Sequence, residues 1–197
     1  GQSDIYIYNV LGNTQRKITD DVYDDLEPVI DEKGEKVFFV SNRPNDSLNI
    51  PHVIDRFKHE KDVFVYDLNN NENPIKSVTD TDDKDETSPL LVDDKLHYLV
   101  HDKSNTIQFD AKYDSAVNKI DTVVHYRYFF DTNEKAKYSS PVLSQTTDDE
   151  HKIYQTSIEE GKYVFYKKDI TNKLDQRIEE GATNSEVTNA QITQVES

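Results

Sequence analysis

The sequence predicts an all-β protein, a β-propeller-like series of about three to three and a half four-stranded antiparallel units. Three observations carry that expectation. The 197 residues include 12 Tyr and 8 Phe but no Trp, Met or Cys, so the core must come from aromatic and β-branched side chains, which suit a pleated surface. Apolar runs are short, alternate with period two, and are separated by polar turns. A set of four segments also occurs twice in the same order, about 60 residues apart.

The first segment, "SDIYIYNV" at 3–10, has a near copy in "KDVFVYDL" at 61–68. "RKITDD" at 16–21 and "KSVTDT" at 76–81 follow their respective copies. Next come the Pro-led "LEPVID" at 26–31 and "TSPLLV" at 87–92, with Pro28 and Pro89. "KVFFVSNR" at 36–43 then aligns with "LHYLVHDK" at 96–103. A third pass repeats the Pro-led strand in "SSPVLSQ" at 139–145 and adds "HKIYQTSI" at 151–158 and "KYVFYKKDI" at 162–170. Between the second and third passes, "TIQFDAKYD" and "IDTVVHYRYFF" are strand-like by alternation and aromatic content.

The segments divide residues 1–170 into units near 1–26, 27–80, 88–130 and 139–178, each expected to hold four short strands. Ile5 and Ile7 fall opposite Tyr6 and Tyr8, and Val63 and Val65 opposite Phe64 and Tyr66, because side chains alternate across a strand. A strand apolar on both faces must be covered on both. Stacked neighbouring sheets provide that cover, so the aromatic stripes read as packing rather than as a ligand platform. Residues 50–61 carry Val53, Ile54 and Phe57 at helix-like spacing and read as an insertion, while 171–197 are polar and read as a tail or an edge strand.

A formal charge of -16, spread through runs such as "DDVYDD" and "DTDDKDE", repels phosphate backbones and anionic lipid, which argues against nucleic acid or a membrane face as partner. No apolar run approaches the roughly 20 residues of a membrane span, so no membrane insertion is expected. The absence of Cys rules out disulfides and leaves the redox compartment open. An export signal, if the chain is exported, is expected to have been removed ahead of "GQSD".

The succession "RKITDD…EPVIDEKGEKVFFVSNRP…KDVFVYDL" resembles the repeat of TolB-like β-propellers. Ile18, Thr19, Pro28, Gly34, Phe39, Ser41, Arg43, Asp62, Val63 and Tyr66 occupy the positions of that pattern. The second unit departs from it: "VDDKLHY" lacks the glycine, and His101, Asp102 and Lys103 stand where Ser-Asn-Arg stood. "IDTVVHYRYFF" with "YSSPVLS" is similar to large envelope-associated propeller proteins of Bacteroidetes. The resemblance implies an incomplete propeller, a bacterial periplasmic or cell-envelope location, and self-association through open blade faces.

Catalytic patterns are sparse. The five glycines, at 1, 12, 34, 161 and 181, do not form a phosphate loop or a G-x-S-x-G nucleophile elbow. His97 and His101 share a strand face but lie about 13 Å apart at roughly 3.3 Å per residue, too far for one zinc. Asp67, Asn69 and Asn71 fall at the alternate positions of a calcium loop, although its glycine and distal Glu are missing; an Asn-rich hairpin turn is the competing reading. The expectation is therefore a non-catalytic scaffold that binds a protein or peptide partner, needs no cofactor, and uses Arg43, His52, Arg56, His59 and Arg127 as contacts. The alternative is the propeller portion of a larger peptidase or glycan-active enzyme. Calcium-stabilised carbohydrate recognition is a third reading.

Overall fold

The structure is a computed structural model and describes residues 2–44, 60–81, 83–103, 105–120 and 124–169. These residues form an all-β fold of several antiparallel sheets, and no helix occurs among them. A hairpin of β1 (Tyr6–Asn9) and β2 (Thr14–Lys17) comes first. A four-stranded sheet follows, with β3 (Asp25–Ile30), β4 (Lys36–Ser41), β5 (Asp62–Asp67) and β6 (Ile75–Ser77) in chain order. The second four-stranded sheet contains β7 (Asp85–Val92), β8 (Lys95–Asp102), β9 (Asn105–Ile120) and β10 (Val124–Tyr138). A three-stranded sheet of β11 (Val142–Thr147), β12 (Lys152–Glu159) and β13 (Lys162–Asp169) ends the described chain. None of these sheets closes on itself among the described residues.

The sheets bury one another in series. On β4, Val37 and Phe39 face the first hairpin and pack with Ile5, Ile18, Phe64 and Ile75. Their neighbours Phe38 and Val40 face the other way, with Val63 and Val65, onto Leu96, Tyr98, Val100 and Ile107 of the second large sheet. Period-two alternation thus covers both faces of one sheet. Each fully buried Val, Leu, Ile or Phe contributes about 1.5–3 kcal/mol, which makes this double cover the main stabilising term. Leu90, Val92 and Ile153 form the smaller apolar contact with the last sheet. The first strands lie side by side, β7 against both β3 and β11.

Backbone links repeat at equivalent places. The Ile5 amide donates to Thr19 Oγ1 at 2.9 Å, as Val63 does to Thr79 Oγ1 at 2.8 Å. The Asp25 amide donates to the Ser3 carbonyl at 2.9 Å, and the Glu86 amide to that of Lys61 at 2.9 Å. Each Thr closes the end of a hairpin, and each acid begins the next sheet beside it.

Two expectations need correction. The pairing Val37 with Ile30 and Leu96 with Leu91 makes Leu96 equivalent to Val37, so "KVFFVSNR" corresponds to "KLHYLVHD" at 95–102, one residue earlier than the sequence alignment placed it. Asp102, not Lys103, therefore stands in the place of Arg43. The turn between the paired strands is shorter in the second sheet, and that shift moved the register. The strands are also not all short: β9 has 16 residues and β10 has 15. The stretch read as an insertion, 50–61, lies outside the described residues except for its last two positions, and 171–197 lies outside them entirely.

Candidate functional site

The excess length of β9 and β10 builds the main surface feature. β8 pairs with β9 only from Leu96 opposite Ala111 to Asp102 opposite Asn105. Beyond Ala111, β9 pairs with β10 alone, Lys112 opposite Asp131 and onward to Ile120 opposite Val124. The result is a two-stranded arm that outruns its sheet. Alternation puts Tyr113, Ser115 and Val117 of β9 on one face with Tyr128 and Phe130 of β10. Tyr113 stacks on Tyr128 with ring centroids 5.7 Å apart and meets Phe130 at 5.1 Å. Phe130 in turn sets its edge against Phe38 of the neighbouring sheet at 6.2 Å, which roots the aromatic row in the core. Toward the tip the row opens to solvent, with Tyr113 42% and Tyr128 57% exposed.

At the foot of the arm lies a cavity of about 520 Å³. Its floor is Phe38, Leu91, Leu96 and Ala111, and Tyr113 and Phe130 form one wall. Two turns make the rim. The β3–β4 turn brings Asp31, Glu32, Lys33, Glu35 and Lys36, and the β7–β8 turn brings Asp93 and Asp94. Asp31 is committed to its own turn, accepting the amides of Glu35 at 2.7 Å and Lys36 at 2.9 Å. Lys36 Nζ sits 6.0 Å from the centre of the Tyr113 ring. Acids, amines and rings line it, with no Ser, Thr, Cys or His among the described residues there.

Two strongly shifted groups lie elsewhere, in the contacts between sheets. Glu86 is fully buried, and burial, with the Asp62 carboxyl beside it, pushes its pKa up to about 8. Burial takes His97 down to about 4. Its ring nitrogens meet no hydrogen-bond partner among the described residues.

Arg43, expected as a surface contact, is fully buried. Its Nη2 donates to both carboxylate oxygens of Asp25, at 2.7 and 2.8 Å, and to Asp21 at 3.1 Å, while Nε donates to Ser41 Oγ at 3.0 Å. The rings of Tyr23, Phe39 and Phe64 surround the guanidinium at 5.5–5.6 Å. It is a structural ion pair and cannot reach a partner. His52, Arg56 and His59 lie outside the described residues. Arg127 stands on the arm, in β10 opposite Ala116.

The Asp67–Asn69–Asn71 stretch is a hydrogen-bonded turn. Asp67 Oδ1 accepts the Asn69 amide at 3.0 Å, and Asn70 Oδ1 accepts the amides of Glu72 and Asn73 at 3.1 Å. These oxygens are aimed at backbone rather than converging on a centre. Among the described residues, no group of three or more His, Cys, Asp or Glu is placed to hold a metal. Tyr113, Tyr128 and Phe130 were not singled out from sequence. A signal for them existed in the combined length of the two alternating runs at 106–114 and 120–130.

Comparison with models of known families, with curated proteins and with solved structures finds no match.

Proposed function

We propose that the chain is a non-catalytic scaffold for protein binding in the bacterial cell envelope, its successive sheets being blades of a TolB-like β-propeller. The observation that carries the binding function is the aromatic row Tyr113–Tyr128–Phe130, anchored on Phe38 at one end and open to solvent at the other. Rings held rigid by their neighbours lose little entropy on binding, and Tyr is among the residues enriched where proteins meet. Serial packing of sheets, with adjacent first strands, supports the blade assignment. The envelope location rests on the repeat's resemblance.

The test is photo-crosslinking in bacterial envelope extract. The chain would carry a benzophenone-bearing phenylalanine analogue in place of Tyr128, and in a second preparation in place of Tyr8, a similarly exposed ring on β1. Discrete protein adducts are expected from position 128 and not from 8. Absence of adducts at 128, or the same adducts at both positions, would overturn the reading.

A further inference from the structure

We propose that the open edge of β13 takes a segment of the same chain, residues 185–189, with Val187 and Thr188 closing the last sheet as Ile18 with Thr19 and Val78 with Thr79 close the two third-strand edges before it.

The edge is defined by the strands that precede it. β1, β5 and β9 each pair antiparallel with the strand that follows, β2, β6 and β10. β13 holds the corresponding place in its sheet, yet among the described residues it pairs with β12 alone. Lys36 pairs with Asp67 and Lys152 with Asp169, and each lysine amide donates to the aspartate that opens its turn, Asp31 at 2.9 Å and Asp148 at 3.0 Å. Counting back from Asp67 and Asp169 puts Phe165 where β5 has Val63.

In the first hairpin and the first four-stranded sheet, that place is gripped by two hydrogen bonds. The Ile18 amide donates to the Ile5 carbonyl at 2.9 Å, and the Ile5 amide to Thr19 Oγ1 at 2.9 Å. The Val78 amide donates to the Val63 carbonyl at 2.9 Å, and the Val63 amide to Thr79 Oγ1 at 2.8 Å. The chemistry required is a β-branched aliphatic residue followed by Thr: one covers the strand, and the hydroxyl of the other takes its amide. Ile5 is 4% and Val63 0% exposed under that cover, whereas Phe165 is 57% exposed. Alternate amides of an edge strand point outward, so those of Phe165 and Lys167 face the open side and are in register for an incoming strand.

Beyond Asp169 an aliphatic residue precedes Thr at Ile170, Val187 and Ile192. Ile170 follows the strand directly and leaves no residues for a turn. "SEVTN" at 185–189 matches "KSVTD" at 76–80 at the aliphatic residue and the Thr, with Asn189 in place of Asp80. Asn keeps the short side-chain oxygen that Asp20 and Asp80 place after their Thr, while Gln194 after the Ile192 pair is longer. The longer connection is a small obstacle, because closure entropy grows only with the logarithm of loop length. Charge favours the same occupant. β13 is basic, with Lys162, Lys167 and Lys168 against Asp169, and residues 178–197 carry Glu179, Glu180, Glu186 and Glu196 with no Lys or Arg. A strand from a second copy would have to approach against a net charge of -16 on each chain, whereas a tethered segment arrives at high effective concentration.

The chain has no cysteine, so an introduced pair reports its own contact. Phe64 pairs with Ser77, two residues before Thr79, and the same register sets Tyr166 opposite Glu186. The full chain carrying Tyr166→Cys with Glu186→Cys is expected to form an intrachain disulfide on mild oxidation, read by mass under non-reducing conditions. Tyr166→Cys with Gln191→Cys, the register set by Ile192, is expected to oxidise about tenfold more slowly or less, as for a pair that meets only by diffusion. Hydrogen exchange on the full chain without cysteines gives a second reading. The Phe165 and Lys167 amides are expected to be protected, and Thr188→Val should speed exchange at Phe165 about tenfold while leaving the β4 amides unchanged. Fast exchange at Phe165 in the parent chain, equal oxidation of the two cysteine pairs, or disulfides formed only between chains would overturn the proposal. None of these outcomes bears on crosslinking at Tyr128.

Discussion

Asp25 and Glu86 hold the same place in successive sheets, three residues before Pro28 and Pro89, and both are buried, yet they are balanced by different means. Asp25 meets the guanidinium of Arg43 at 2.7 Å. The corresponding position beside Glu86 is Asp102, and Glu86 is instead held by the Thr81 hydroxyl at 2.9 Å, with the Asp62 carboxyl beside it. One contact between sheets is closed by an ion pair, and the next by a carboxyl that retains its proton.

The proton on Glu86 makes stability depend on pH. The folded pKa lies at about 8 against 4.5 for the free side chain, so between these values the folded chain holds a proton that the unfolded chain releases. Stability from this group is complete below pH 4.5 and is lost as pH rises toward 8. Glu86→Gln keeps the shape without the charge. Urea midpoints of the variant are expected to exceed those of the parent at pH 8.5, with the difference vanishing near pH 4.5. A parallel pair of curves would remove Glu86 from the account.

Arg43 should be among the most sensitive positions in the chain. Arg43→Met leaves Asp21 and Asp25 without their shared cation, and breaking a buried pair from one side costs about 3–5 kcal/mol. Arg43→Lys should recover only part, because an ammonium cannot span Asp25, Asp21 and Ser41 in the fork that the guanidinium provides. Adding Asp25→Asn to Arg43→Met should restore some stability by removing the stranded charge. Denaturant melts of the four proteins check the order.

Much of the strand pattern could be read directly. "KVFFVS" became β4 and "DVFVYD" became β5, because four apolar residues in succession need cover on two faces and a stack of sheets supplies it. What could not be read was register and length. Proline marks the first strand of each four-stranded sheet but does not count the residues in the following turn, so the sequence aligns Lys103 rather than Asp102 with Arg43. The two runs of the arm read as ordinary short strands, because alternation shows where a strand lies without showing where its neighbour stops. Arg43 was misplaced for a related reason: its partners Asp21 and Asp25 are distant in sequence and adjacent only after β3 pairs with β4.

His97 should act on the acid side. Its pKa falls from 6.5 to about 4 on folding, since burial disfavours the imidazolium and Lys95, Lys135 and Lys168 add to that, against the pull of Asp110. Below pH 6.5 the unfolded chain takes up a proton that the folded chain declines, so stability falls as pH drops from 6.5 toward 4. His97→Leu should flatten this limb and leave the alkaline limb set by Glu86 in place. Thermal melts from pH 4 to 7 separate the two; an unchanged acid limb would show that His97 does not contribute.

The β7–β8 turn offers a gain in stability. Val92 pairs with Lys95, and the two residues between them, Asp93 and Asp94, both have left-handed backbones, with φ of 51° and 60°. A two-residue hairpin of this kind prefers glycine at its second position, as the β12–β13 turn shows with Glu160 at 49° and Gly161 at 77°. Asp94→Gly removes a left-handed penalty of about 1–2 kcal/mol and gives back roughly 0.5–1 kcal/mol in unfolded-state entropy. Asp93 keeps its contact with His151 Nδ1 at 3.1 Å. The variant should therefore gain up to about 1 kcal/mol, read as a higher urea midpoint at unchanged slope. The reverse exchange, Gly161→Ala, should lower the midpoint, because alanine at φ 77° is strained even with nothing within 4 Å of its Cβ. Opposite shifts at the two turns would show that backbone conformation, rather than lost charge, sets the sign.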